Sequence, residues 1–113
     1  MLPKQRRIAR KEFPNILKFG KRYNSEHLLL IIIETEQTSP SKFSFSASKK
    51  VLKNAVDRNK YRRRGYSIIR QLLKSIRPNF LCFFSFKKGS GDVKFRTLEK
   101  EITKLLSLAL VIS

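Results

Sequence analysis

The chain has 113 residues, a formal net charge of +18 and 41% hydrophobic residues, among them nine Phe and three Tyr. That length suits one domain with one modest core, and so much apolar content excludes a disordered basic tail. A charge this large opposes compaction by self-repulsion, so a polyanion is the expected partner, nucleic acid first and an acidic membrane surface second.

The single Cys82 cannot form an internal disulfide, and a reducing, cytoplasmic home is expected. Basic residues crowd the N-terminus, but no apolar signal-peptide run follows them. The longest apolar stretch, Leu28 to Ile33, is far too short to cross a bilayer. A soluble chain that is not exported is expected, without a membrane partner.

In chain order, residues 1–10 are basic and lack an apolar period, which suggests a mobile or RNA-ordered arm on a single domain spanning 1–113. Helix signals begin near Lys11. Phe13, Ile16 and Leu17 share a face, Pro14 suits a first turn, and Gly20 is a stop. Leu28 to Ile33 is a continuous apolar run, which predicts a central strand buried on both faces. Turn residues Gln37 to Ser41 follow. From Lys42 to Ser48 the pattern alternates, with Phe43, Phe45 and Ala47 on one face and Ser44, Ser46 and Ser48 on the other. That predicts a half-buried strand hairpinned to the Leu28 run.

Asn54 is an N-cap, Asp57 supplies an acid to the helix's positive end, and helical periodicity continues to Arg77 before Pro78. Asn79 to Phe86 reads as another apolar strand, and Lys87 to Asp92 as a loop. Leu98, Ile102, Leu105, Leu106 and Ala109 recur at helical spacing. The order is helix, strand, strand, helix, strand, helix, with a further short strand near Arg22 to Asn24. This is an α+β chain, a small α/β sandwich.

The long helix carries two unlike halves. Ile68, Ile69, Leu72, Leu73 and Ile76 form one apolar stripe, whose backward extension lands on Gly65, Arg62, Tyr61 and Arg58. A core cannot accept cations without paired anions. Between Lys49 and Lys74 stand ten Lys or Arg and a single acid, Asp57. The first turns are therefore expected to overhang the sheet and line a groove, with Arg58 and Arg62 beside its edge, ready for phosphate. The plainer alternative is a solvated charged face. Gly65, costly in a helix interior, points to close backbone approach.

Stacking on aromatics would help hold single-stranded RNA, and Phe13 is the best candidate. Phe43 and Phe45 read as core, while Tyr61 and Tyr66 fit either role. The acids show no spacing for a metal-binding pair or for a general acid and base. His27 opens a strand without a marked partner, at the surface or a strand edge. Cys82 in its apolar strand reads as a buried, inert thiol. The chain itself is not expected to cleave RNA.

Ser48-Lys49-Lys50, Asn54-Ala55-Val56 and Arg58-Asn59-Lys60-Tyr61-Arg62-Arg63 resemble the signature of the bacterial ribonuclease P protein subunit. Leu2-Pro3-Lys4, Glu12-Phe13, Gly20-Lys21-Arg22, Phe43-Ser44-Phe45-Ser46 and Leu98-Glu99-Lys100-Glu101 extend the resemblance over nearly the whole chain. It implies a ribonucleoprotein endonuclease that removes the 5′ leader of precursor tRNA. In that family the catalytic RNA subunit, holding most of the Mg2+, performs the hydrolysis. The resemblance implies that the protein, one per RNA, binds that RNA and the leader.

The resemblance also implies a left-handed β-α-β crossover, against the general rule. It makes Arg58, Asn59, Lys60, Arg62 and Arg63 the helix facing the catalytic RNA. Ser48, Lys49 and Lys50 become the segment after the strand, and Phe13 and Leu17 positions of the leader cleft. Lys60 stands where Arg is commonest, Leu17 where an aromatic is usual, and Leu52-Lys53 where many members have one Gly. Arg64 and Gly65 replace apolar residues. The rival is a ribosomal-type RNA-binding protein with no catalytic assembly.

Overall fold

The structure, a computed structural model, describes residues 2–36 and 39–112. Along these run α1 (Phe13–Phe19), β1 (Lys21–Asn24), β2 (Leu28–Glu34), β3 (Lys42–Ser46), α2 (Ala55–Leu72), β4 (Phe80–Phe86) and α3 (Phe95–Leu108). Gln37 and Thr38 of the expected turn and Met1 of the expected arm lie outside the described residues.

β2 and β4 are almost wholly apolar, so their backbone groups need a sheet interior with a layer on each face. They pair antiparallel along their full length, Leu28 opposite Phe86 and Glu34 opposite Phe80. β1 adds antiparallel to the outside of β2, and the sheet order is β1-β2-β4-β3. The Leu28 run is central and the short strand near Arg22 is present, as the sequence predicts.

The expected hairpin between the Leu28 run and the Phe43 strand does not form. β3 lies parallel to β4, with Phe43 opposite Cys82 and Phe45 opposite Phe84. Two causes are physical. Residues 35–41 make a connection longer than the two to five residues usual in a hairpin. A strand followed by a crossover helix returns parallel to the next strand, and the serine-bearing β3 tolerates the sheet edge better than the apolar β4.

α2 and α3 cover one sheet face, burying Leu30, Phe43, Phe45, Cys82, Phe84 and Phe86 with Ile68, Ile69, Leu98, Ile102 and Leu105. α1 covers part of the other, where Ile8, Ile16, Ile31 and Leu81 gather with Phe13 and Phe83 against them. Burial pushes the Cys82 thiol far up, which leaves it inert. The first ten residues, basic as they are, also put Leu2 and Ile8 into the two apolar clusters. The Ile8 N–H donates to the Phe43 carbonyl at 3.2 Å, and the Phe45 N–H to Tyr66 Oη at 3.3 Å. Both occupy outward backbone groups of the edge strand.

α2 ends before the predicted Arg77. A 3-10 turn, Leu73–Ser75, follows it, and Ile76 then bridges to Ile112. Pro78 disfavours a helical residue before it, so Arg77 leaves the helix and donates its N–H to the Val111 carbonyl at 2.8 Å. Gly65 meets its expectation: a Cβ there would lie 2.5 Å from the Phe45 ring. The backbone of α2 therefore rests directly on an aromatic face.

His27 does have a partner, contrary to the sequence reading. Glu101 accepts from the His27 N–H at 2.8 Å and the Ser25 hydroxyl at 2.5 Å, and its other oxygen lies 2.6 Å from His27 Nδ1. These bonds tie the β1–β2 turn to α3. Partial burial pulls the Glu101 carboxyl up, but the bonds from Ser25 and His27 outweigh it and hold the pKa below the usual carboxylate value.

Two outcomes follow from this packing. Gly65→Ala gains about 1 kcal/mol of helix propensity but overlaps the Phe45 ring, at a cost of about 1–3 kcal/mol. A net loss is expected as a lower urea midpoint, and Phe45→Leu in the same chain should relieve it. A carboxylate with a lowered folded pKa contributes stability that is present above its unfolded pKa and lost as pH falls through the folded value. Glu101→Gln should therefore cost about 1 kcal/mol at neutral pH. The gap to the unaltered chain should close as urea unfolding is repeated at progressively acid pH.

Candidate nucleic-acid interface

Asn54 caps α2 as the sequence predicts, its Oδ1 accepting the Val56 N–H at 3.0 Å, with Asp57 in the first turn. The helix start is thus fixed by a side chain and an acid, and it can carry cations at defined positions. Asn59, Lys60 and Arg63 are exposed, while Arg58 and Arg62 sit half-buried at the margin of the apolar stripe. Among the described residues, none of these cations is paired with a carboxylate.

The two half-buried guanidinium groups are held differently. Arg62 Nη2 donates to Asn59 Oδ1, one turn back. Arg58 Nη1 donates to the carbonyls of Leu52 at 2.8 Å and Lys53 at 3.0 Å. Instead of lining a groove beside the sheet edge, Arg58 turns toward the segment that precedes its own helix. That segment is a tight turn in which the Ser48 carbonyl accepts the N–H groups of Val51 at 3.1 Å and Leu52 at 2.9 Å. Leu52 is buried in the main core, while Ser48, Lys49 and Lys50 are exposed on the turn. Leu52-Lys53 is thus accommodated by burying one residue and hydrogen-bonding the carbonyls of both.

Tyr61 and Gly65 continue the buried stripe that the cations were expected to interrupt. Tyr61 is 4% exposed, its hydroxyl donates to the Gly91 carbonyl, and the Arg64 guanidinium lies 5.3 Å from the ring centroid. Tyr66 is buried beside Phe45. Both tyrosines are core residues, not free stacking surfaces.

Phe13 and Leu17 stand apart from this cluster, on α1 over the opposite sheet face. Phe13 is half-buried, its ring edge-on to Phe83 with centroids 5.4 Å apart, and Leu17 is 48% exposed. In register beside Phe83 lies Ser44, and beside Ser85 lies Ser46. The sheet surface next to Phe13 therefore passes from aromatic to hydroxyl-bearing.

One basic surface was not singled out from the sequence. A groove of about 540 Å³ along the β3 edge is lined by Lys4, Arg7, Lys11, Lys42, Phe43 and Tyr66. Lys42 also lies 3.4 Å from Glu12, whose carboxylate accepts the Ala9 N–H at 2.8 Å. The available signal was Leu2 and Ile8, apolar anchors that bring the basic segment against the sheet.

The family model described as Ribonuclease P matches residues 2–109. The ribonuclease P protein component of Microcystis aeruginosa is 34% identical, covering 98% of this chain and 96% of its own length. That of Rippkaea orientalis is 32% identical over 98% and 91%. Among solved structures, the RNase P protein of Staphylococcus aureus has the same fold, with a TM-score of 0.87 at 21% identity over 97% of this chain and 100% of that one. The RNase P protein of Thermotoga maritima matches with a TM-score of 0.81 at 23% identity over 90% and 96%. With sequence similarity running almost end to end and the same architecture beneath it, the chain belongs to the ribonuclease P protein family.

Proposed function

We propose that the chain binds a catalytic ribonuclease P RNA and the 5′ leader of precursor tRNA, one protein per RNA, to assist endonucleolytic 5′ maturation of tRNA in the cytoplasm. The observation that carries this reading is the set of exposed cations at the start of α2, Lys60 and Arg63 with Arg62 beside them, fixed on a capped helix and paired with no carboxylate among the described residues. Lys49 and Lys50 on the adjoining turn enlarge it. Cations so placed bind a phosphate backbone through charge and counterion release, without reading sequence. That suits a protein that meets many different leaders. Lys60, where the family commonly has Arg, keeps the charge without a planar fork.

On the opposite sheet face, Phe13 with Phe83 and the neighbouring serines offers a stacking edge and hydroxyl donors to a single strand. Leu17 offers apolar contact without stacking. Among the described residues no group of three His, Cys, Asp or Glu could hold a metal ion. In this reading Mg2+ and hydrolysis belong to the RNA, and the chain contributes binding and placement. No helix among the described residues is long and apolar enough to cross a membrane. The relatives named above are ribonuclease P proteins, which favours this reading over a ribosomal-type RNA-binding module.

Adding the chain to the ribonuclease P RNA of its own organism at low magnesium should restore cleavage of precursor tRNA; no restoration refutes the assignment. Replacing Lys60, Arg62 and Arg63 together with Ala should leave the unfolding midpoint nearly unchanged. The same variant should flatten the dependence of log affinity on log salt by about 2–3 in slope. Phe13→Ala should weaken binding of leader-bearing substrate by about 1–3 kcal/mol more than binding of mature tRNA. Equal losses on both would assign Phe13 to packing against Phe83 alone.

A further inference from the structure

We infer that Arg58 is a positioning residue, whose guanidinium clamps the Ser48–Lys53 turn onto the first turn of α2 and so sets where Lys49 and Lys50 stand relative to Lys60, Arg62 and Arg63. The inference rests on the RNA-binding reading above and divides the cations of that surface by role.

Three consecutive carbonyls accept hydrogen bonds from this one residue. Arg58 Nη1 donates to Leu52 O at 2.8 Å and Lys53 O at 3.0 Å, and the Arg58 backbone N–H donates to Asn54 O at 3.1 Å. A guanidinium Nη carries two hydrogens. Both hydrogens of Nη1 are thus directed at the chain's own backbone, and only Nη2 and Nε remain for an outside acceptor. A cation in the first turn of a helix opposes the helix dipole. The two carbonyl acceptors offset that, which gives the side chain a reason to hold this conformation before any RNA arrives.

The clamp acts on a segment anchored at few other points. The turn is closed by the Ser48 carbonyl through Val51 and Leu52, and Leu52 inserts into the core beside Gly91, whose added Cβ would stand 3.4 Å from Leu52 Cδ2. Ser48, Lys49 and Lys50 are otherwise exposed. Without Arg58, the buried Leu52 side chain would still hold the segment near the core, but the carbonyls of residues 52 and 53 would lose their partner on α2. Lys49 and Lys50 would then sample a wider range of positions and present their charges to a phosphate backbone less often. Lys60 and Arg63, exposed on the helix itself, need no such support.

The test has one arm in the free protein and one with RNA. In the free chain, Arg58→Ala should speed amide exchange at Val51 and Leu52 by about tenfold or more, while the β2 and β4 amides keep their protection and report an intact fold. Arg58→Lys should restore much of the protection, because an ammonium can also donate to two carbonyls. With ribonuclease P RNA as the probe, Lys49→Ala with Lys50→Ala should weaken binding in the unaltered chain. In the Arg58→Ala chain the same pair should cost less than twofold, since its placement is already lost.

Unchanged exchange at Val51 and Leu52 overturns the clamp. Faster exchange with fully additive binding losses overturns the positioning role and leaves Arg58 either a turn brace or a phosphate ligand. Should Arg58→Ala lose protection in β2 and β4, Arg58→Met, which keeps an unbranched apolar stem and has no donor, takes its place under the same criteria. An unaltered chain that binds no RNA refutes the proposed function, and the positioning role with it. The exchange arm would still report on the clamp, so the two failures are told apart.

Discussion

Gly65 lets the middle of α2 rest directly on the Phe45 ring, and the course of the whole helix over the sheet follows from that contact. Phe45 itself has no freedom to yield. It stacks on Phe84 with centroids 4.8 Å apart and planes 7° from parallel, and meets Tyr66 edge-on at 5.1 Å. A helix seated this low on an aromatic layer is fixed in height and rotation, because close-packed interiors transmit small displacements. One turn before Gly65, Tyr61 adds a second point, with its hydroxyl on the Gly91 carbonyl and its ring against Phe86. The cations that follow from this seating, Arg58, Asn59's partner Arg62, and the exposed Lys60 and Arg63, are thereby placed by packing and not by charge.

That separation of packing from charge explains how a chain of net charge +18 keeps a well-defined basic surface. The carboxylates of Glu12 and Glu101 meet Lys42 and His27, contacts that join elements away from the start of α2. A partly exposed pair such as Lys42 with Glu12 contributes little to stability and ties the β3 edge to the entry of α1, while the bonds to Glu101 tie the β1–β2 turn to α3. The half-buried arginines at the start of α2 are satisfied by neutral acceptors, the carbonyls of Leu52 and Lys53 and the amide oxygen of Asn59. A carbonyl partner fixes a guanidinium without cancelling its charge. An electropositive surface built this way keeps its full field toward an approaching polyanion.

The elements were legible in the sequence wherever a single periodicity decided them. Leu28 to Ile33 and Phe80 to Phe86 are apolar on both faces and could only be interior strands. Asn54, Gly65 and the alternation of Phe43 and Phe45 declared a cap, a close approach and a core face. What failed was pairing. β3 and β2 adjoin in sequence, and nothing in the alternation of β3 states that its partner is β4, some forty residues on. Two site features were hidden for a related reason. Arg58 lies on the helix stripe by its spacing, and only the path of residues 52 and 53 reveals that its guanidinium has acceptors there. His27 shows no local partner because Glu101 comes from the far end of the chain. Tyr61 and Tyr66, ambiguous by composition, were settled by burial.

The cation-bearing helix and Phe13 occupy opposite faces of one sheet, and that has a consequence for how the proposed task is divided. A strand layer separates them, so they stand about two layer spacings of roughly 10 Å each apart, beyond the Debye length of about 8 Å at physiological ionic strength. Charge at the start of α2 is therefore largely screened at the α1 face across solvent, and in the proposed function each face would meet RNA by its own means. The α2 face has density of charge and little exposed aromatic surface, since its tyrosines are buried. The α1 face has a half-buried aromatic edge beside hydroxyls. Under the proposed function, a charged surface and an aromatic one joined rigidly by β2 and β4 would hold two RNA segments at a fixed separation, which is what placing a leader against a separate catalytic RNA requires. The basic groove lined by Lys4, Arg7, Lys11 and Lys42 lies along the β3 edge, where the two faces meet.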